Sequence, residues 1–268
     1  AQAAWVAGKS EEAEVSGLAA SGGYIRTLWI RYFERAGLLA YQNADPIISL
    51  YEGNRARQIR DGADAALTQV IPNGIALSDW QRVRAQRGEG IAPVAGLIGR
   101  VVPIKDVKTF LRAVRSVVSE IPEFEAWIVG PEDEDPGYAQ ECHSLVSSLG
   151  LTGQVHFLGF RNIREIMPQL GVMVLTSISE AQPLVILEAW CAGTPVVSTD
   201  VGSCRELIEG VGEQDRALGT AGEVVPIADP QATARAIQRL LQNPERWHAA
   251  QRTGEQRVQE RYSDELMF

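Results

Sequence analysis

Cysteine, histidine and long apolar runs are scarce in this chain, and positive charge is in deficit. Its three cysteines, Cys142, Cys191 and Cys204, form no C-x-x-C pair. That argues against a disulfide framework or a zinc site and fits a reducing cytoplasm. No apolar run approaches the ~18 residues that a membrane-spanning helix needs. The opening "AQAAWVAGKSEEAEV" has neither the basic region nor the apolar core of a signal peptide. Twenty-five Lys and Arg against 34 Asp and Glu leave a formal charge of -9. Such a charge repels a phosphate backbone, so nucleic acid is not an expected partner. The few histidines suggest no Ser-His-Asp or Cys-His arrangement: His143 and His248 fall on expected helix surfaces, and His156 reads as a core histidine. An initiator methionine is also missing and the chain stops abruptly in "SDELMF", so it reads as a piece of something longer.

What is present is an ordinary globular composition, 45% hydrophobic and 22% charged over 268 residues. From about residue 93, short β-branched runs alternate with longer amphipathic ones. "PVAGLIG" is followed by "VKTFLRAVRSVVSE", "EAWIVG" and "YAQECHSLVSSLG"; then come "QVHFLGF", "IREIMPQL", "GVMVLTS", "PLVILEAWCAG", "TPVVST" and "CRELIEG". This alternation predicts an α/β fold, an open, Rossmann-like, doubly wound parallel sheet of at least five strands. "EVVPIA" reads as an edge strand, "DPQATARAIQRLLQ" as a helix capped by Asp229, and "NPERWHAA" as the start of a last helix. Residues 1–74 contain one apolar strand, "PIISLY", between helical stretches, and one strand makes no core. They read as the last elements of a truncated N-terminal domain, with Pro72, Asn73 and Gly74 as hinge residues. Residues 75–242 read as the complete domain, beginning with an exposed connector "SDWQRVRAQRGEG", and 243–268 as a C-terminal helical segment.

Ligands of open α/β sheets lie beyond the carboxyl ends of the strands, and three of the loops there are unusual. In "GRVVPIKD", Gly99 permits a tight turn, while Arg100 and Lys105 bring two cations to one short loop, suited to a diphosphate. The alternative is that both are surface charges pairing with Asp106 or a neighbouring acid. In "SISEAQPLVILE", Pro183 suits the first position of a helix whose free amides, at Gln182, Leu184 and Val185, would form an anion site. Glu180 lies just outside that helix and Glu188 inside it, among apolar neighbours. Either Glu180 is a cap and Glu188 half of an ion pair, or both accept ligand hydroxyls. "GFRNI" offers Arg161 near a nucleobase, or merely exposed; the acids of "GPEDED" are read as solvated, so no metal site is expected.

With these residues in view, the stretch from about 93 to 242 resembles the C-terminal, donor-binding half of the retaining GT-B glycosyltransferases of family four. The resemblance rests on "GR" with a lysine five positions on, E-x7-E as Glu180 to Glu188, "AGTPVVSTDVGS" and the hinge "IPNGI". Local wordings such as "LYEGNR" and "TDVGSCRELI" look like the PelF branch, cytoplasmic enzymes of Pel exopolysaccharide synthesis associated with biofilm. The resemblance implies a UDP-sugar donor, a polysaccharide acceptor, inner-membrane secretion proteins as partners and no metal. It implies that Arg100 and Lys105 neutralise the diphosphate, Glu188 holds the ribose hydroxyls and Glu180 contacts the transferred sugar. It also implies that the segment 243–268 crosses back to the first domain. Many family members have glycines where this chain has Ala181 and Gln182. Two other readings compete: a non-catalytic sugar-nucleotide-binding or docking module of a secretion complex, and a GT-B nucleotide-sugar epimerase. With only the last units of the acceptor-side domain, the chain alone is expected to bind donor and transfer sugar poorly.

Overall fold

The structure, a computed structural model, describes residues 23–266; the opening stretch "AQAAWVAGKSEEAEV" lies outside them. The chain divides between Pro72 and Asn73 into two compact units. In the first, helix α1 (Gly23–Gln42) precedes strand β1 (Ile47–Ser49), helix α2 (Glu52–Arg60) and strand β2 (Thr68–Val70). β1 and β2 pair in parallel, Ile47 opposite Thr68, so α2 is a crossover. Arg55 fastens it, Nε donating to the Thr68 carbonyl at 2.9 Å and Nη2 to that of Ala65 at 3.1 Å. The sequence pattern predicts one strand in this region, and the structure has a second. β2 is Thr-Gln-Val with Thr68 alone buried, too short for any alternation to mark it.

The second unit opens with a 3-10 turn at Leu77–Asp79 and the short helix α3 (Gln81–Ala85). Strands and helices then alternate: β3 (Val94–Ile98), α4 (Val107–Glu120), β4 (Glu125–Val129), α5 (Pro136–Ser148), β5 (Val155–Gly159), α6 (Ile163–Ile166), β6 (Val172–Leu175), α7 (Leu184–Cys191), β7 (Val196–Thr199), α8 (Cys204–Glu209), α9 (Gly212–Arg216), β8 (Gly222–Val225), α10 (Pro230–Leu241) and α11 (Pro244–Arg261). The six strands lie in the order β5-β4-β3-β6-β7-β8, every neighbouring pair parallel. Because side chains alternate along a strand, each strand feeds both faces. Val172 and Val174 enter the cluster with Phe110, Val114 and Ile237; Met173 and Leu175 enter the one with Leu187, Trp190 and Leu207. The sheet is therefore covered on both sides, as a parallel sheet requires.

Two expectations change. The stretch "SDWQRVRAQRGEG" is no exposed connector: Trp80 and Val83, on one side of a helical turn, are 4% and 5% exposed and join the cluster around Trp190. His156 is half-exposed, its Nε2 3.6 Å from Glu125, because β5 is the edge strand and leaves that side chain uncovered. In α11, Trp247 and Val258 are buried.

Candidate functional site

The chain steps outward from β3 to β4 and β5, then returns to place β6 on the other side of β3. The loops leaving β3 and β6 flank this reversal at the carboxyl ends of the strands, the place where open α/β sheets take their ligands. The β3 loop starts at Gly99, φ 151°, packed against Gly130 after β4; a Cβ on Gly130 would lie 2.0 Å from the Gly99 carbonyl oxygen. A 3-10 turn at Pro103–Lys105 ends on Asp106, which adopts a left-handed φ of 45° and caps α4 by accepting the Thr109 amide at 3.2 Å. Thr176, just past β6, donates its hydroxyl to the carbonyls of Lys105 and Asp106, both at 3.0 Å. The Ile178 amide donates to Ile104 at 2.9 Å. These bonds lace the two loops together, and across them Lys105 Nζ donates to Glu180 Oε1 at 2.6 Å, with side chains 20% and 15% exposed.

Helix α7 begins at Leu184 rather than at Pro183, which is its N-cap and supplies no side-chain acceptor. Glu180 is thus not a cap; its carboxylate is engaged with Lys105. The amides of Leu184 and Val185 open the helix, while that of Ile186 bonds the Pro183 carbonyl at 3.2 Å. Gln182 lies before the helix and is buried, its Oε1 accepting from the Asn73 amide at 2.6 Å. Behind this segment Gly202, φ 55°, lets the loop after β7 come so close that a Cβ there would sit 2.3 Å from the Glu180 carbonyl oxygen. The Ser203 amide donates to Ala181 at 2.9 Å.

Arg100 has half its side chain exposed, its Nη1 2.5 Å from Glu134. Of the two sequence readings for this residue, pairing with a neighbouring acid is the one seen, the acid being Glu134. The other acids of that loop are also placed: Glu132 meets His143 at 2.6 Å and Asp135 caps α5 through the Tyr138 amide at 3.0 Å. Arg161 is exposed beside Phe160, 86% exposed, at the end of β5. Glu188 is half-buried one turn into α7, and among the described residues no hydrogen bond or ion pair reaches its carboxylate. Burial pushes its pKa above the usual carboxylate value, opposed by the charge of Arg164. Arg164 is itself held by Asp79 at 2.7 Å and lies 5.7 Å from the Trp80 ring centre. Asn73, Thr176, Gly202 and Glu134 support the site without having been picked out as members of it; no spacing in the sequence ties them to Lys105 or Glu180.

A six-stranded, all-parallel sheet covered by helices on both faces is the Rossmann-like architecture of a GT-B-type protein. A family model for the glycosyl transferases group 1 matches residues 92–243, more than half of the chain, and the chain belongs to that family. Residues 1–66 match a domain of unknown function (DUF3492). The lipopolysaccharide core biosynthesis glycosyltransferase LpsE of Rhizobium meliloti is 32% identical over 151 residues, 56% of this chain and 40% of that protein. The D-inositol 3-phosphate glycosyltransferase of Streptomyces bingchenggensis is 28% identical over 217 residues, 75% of this chain and 46% of its own length. The chain thus spans less than half the length of these curated relatives. Among solved structures, Anabaena HepE in complex with UDP and glucose superposes with a TM-score of 0.72 at 26% identity, over 87% of this chain and 64% of that one. Sucrose-phosphate synthase of Thermosynechococcus elongatus, TM-score 0.69 at 23% identity over 93% and 61%, shares the fold.

Proposed function

We propose that this chain supplies the donor side of a retaining glycosyltransferase that moves a hexose from a UDP-sugar to a growing exopolysaccharide. The observation that carries the reading is the Lys105–Glu180 contact of 2.6 Å at the strand ends, beside the opening amides of α7. A cation and a carboxylate held together there suit a ligand with a diphosphate at one end and sugar hydroxyls at the other. In this reading the diphosphate takes Lys105 and Arg100 from their carboxylate partners, and the Leu184 and Val185 amides add a fixed positive dipole. Glu188, which no hydrogen bond or ion pair reaches among the described residues, accepts two ribose hydroxyls, and Glu180, released from Lys105, turns to the sugar. When the bond from the anomeric carbon to the diphosphate breaks, the electron pair stays on the diphosphate. Preorganised cations and amides stabilise that charge with no metal required. The UDP and UDP-glucose held by HepE structures support a uridine donor. The PelF-like wordings support exopolysaccharide as product, made in the cytoplasm beside inner-membrane secretion proteins.

Calorimetric titration of the chain with UDP, UDP-glucose and the two UDP-N-acetylhexosamines tests the reading. Binding of UDP and at least one UDP-sugar is expected, weakened about ten-fold or more by Arg100→Ala and by Glu188→Ala, each of which removes charge-assisted hydrogen bonds. Absence of binding, or affinities untouched by both substitutions, would refute it. Interconversion of free UDP-sugars without acceptor would identify an epimerase instead.

A further inference from the structure

Asn73 and Gln182 are 109 positions apart and form a closed pair. The Asn73 main-chain amide donates to Gln182 Oε1 at 2.6 Å, and Asn73 Nδ2 donates to the Gln182 main-chain carbonyl at 3.1 Å. Gln182 is 6% exposed, so water cannot simply replace these bonds. The segment they hold is narrow. On its other side the loop after β7 presses on residues 180 and 181: a Cβ on Gly202 would be 2.3 Å from the Glu180 carbonyl oxygen and 2.4 Å from that of Ala181, while the Ser203 amide bonds Ala181. Residues 180–182 are therefore pinned between Asn73 and Gly202–Ser203. Neither clamp is part of α7, which begins at Leu184 and keeps its own hydrogen-bonded turns.

We infer that Gln182 is a positioning residue for Glu180, with Asn73 as its anchor. The inference rests on the reading of Glu180 as the sugar-side carboxylate. A buried side chain that fixes both the main chain and its own end to Asn73 holds the Glu180 main chain, two residues upstream, in place, so that the carboxylate can turn from Lys105 to the sugar about a fixed Cα. Glu188 is reached differently, because it is carried one turn inside the helix. Loosening the Asn73–Gln182 pair should therefore disturb the sugar end of a bound donor and spare the nucleotide end.

The test uses two variants that break different bonds: Asn73→Ala removes the Nδ2 donor, and Gln182→Met fills the buried volume without an acceptor. For whichever of UDP-glucose and the two UDP-N-acetylhexosamines binds the parent chain best, affinity is expected to fall about five-fold in each variant, with UDP affinity within about two-fold of the parent. A merely structural role would change both ligands together. Without ligand, amide hydrogen exchange over residues 178–182 is expected to quicken in both variants. Equal losses for UDP and the UDP-sugar, no loss for either, or unchanged exchange would overturn the inference. Should Gln182→Met not fold, the Asn73→Ala results alone decide. The two proposals fail differently. If Glu188→Ala weakens UDP but Asn73→Ala leaves the ratio of the two affinities unchanged, the positioning role falls and the donor site stands; a parent chain that binds no nucleotide sinks both.

Discussion

Glu188 is a half-buried carboxylate whose cost to the fold is consistent with the ligand role proposed for it. Its carboxylate is half-buried with no hydrogen bond or ion pair among the described residues, and burial raises its pKa above the ordinary carboxylate value of 4.5. A raised pKa means that the folded chain holds this proton more tightly than the unfolded one. The contribution to stability is then full below 4.5 and is lost as pH rises through the higher folded value. Glu188→Gln removes that dependence, so its urea midpoint should exceed the parent's at about pH 8 and converge with it towards about pH 4. UDP affinity should fall in the same variant. A midpoint below the parent's at every pH would mean that Glu188 has a stabilising partner, contrary to its geometry. The residue could be singled out in the sequence because a glutamate among Val185, Ile186, Leu187 and Trp190 is chemically out of place. Glu134, which holds Arg100, could not be: an acid in an acidic loop carries no mark of the cation it meets in space.

At the scale of elements, what was legible followed length and periodicity. The amphipathic run 107–120 is a helix with the same limits, and the β-branched runs from 94 onward are the strands of the sheet. The elements not foreseen, β2, α3 and α9, have between three and five residues, shorter than the window over which a period can be recognised. Asp106 joins two elements that were foreseen. It ends the turn carrying Lys105 and caps α4, and its left-handed φ of 45° is one that few residues besides Gly, Asn and Asp adopt readily. Asp106→Ala should lose the cap and keep the strain, costing roughly 1–2 kcal/mol in urea denaturation. Asp106→Asn, which tolerates that φ and still offers an acceptor, should cost less than half as much. Since the Lys105 and Asp106 carbonyls both receive Thr176, the alanine variant should also bind UDP more weakly. Equal stability for the two variants would show that neither cap nor conformation governs this junction.

Over the second unit as a whole, the attachment of α11 depends on a pair that no sequence pattern announced. Arg257 is fully buried, and each of its five N–H groups is used: Nε on Asp215 Oδ1 at 2.7 Å, Nη1 on the carbonyls of Leu207 and Ile208, Nη2 on those of Asp215 and Gly219. One side chain thus ties the last long helix to α8, α9 and the approach to β8, while Trp247 and Val258 pack the same helix on the core. Its partner Asp215 lies in the polar stretch "GEQDR", which reads as surface until the fold brings Arg257 over it. Removing Arg257 leaves the buried Asp215 carboxylate with only the Val211 amide at 2.8 Å and the Arg261 guanidinium at 3.5 Å. Arg257→Met should therefore cost about 3–5 kcal/mol. Arg205→Ala, which breaks half-exposed bridges to Asp200 and Glu209, should cost less than about 1 kcal/mol. Paired urea denaturations of the two variants measure the difference. If Arg257→Met proved no more harmful than Arg205→Ala, apolar packing around Trp247 and Val258 would suffice to hold α11, and the buried pair would serve to fix its register against α8 and α9 rather than its stability.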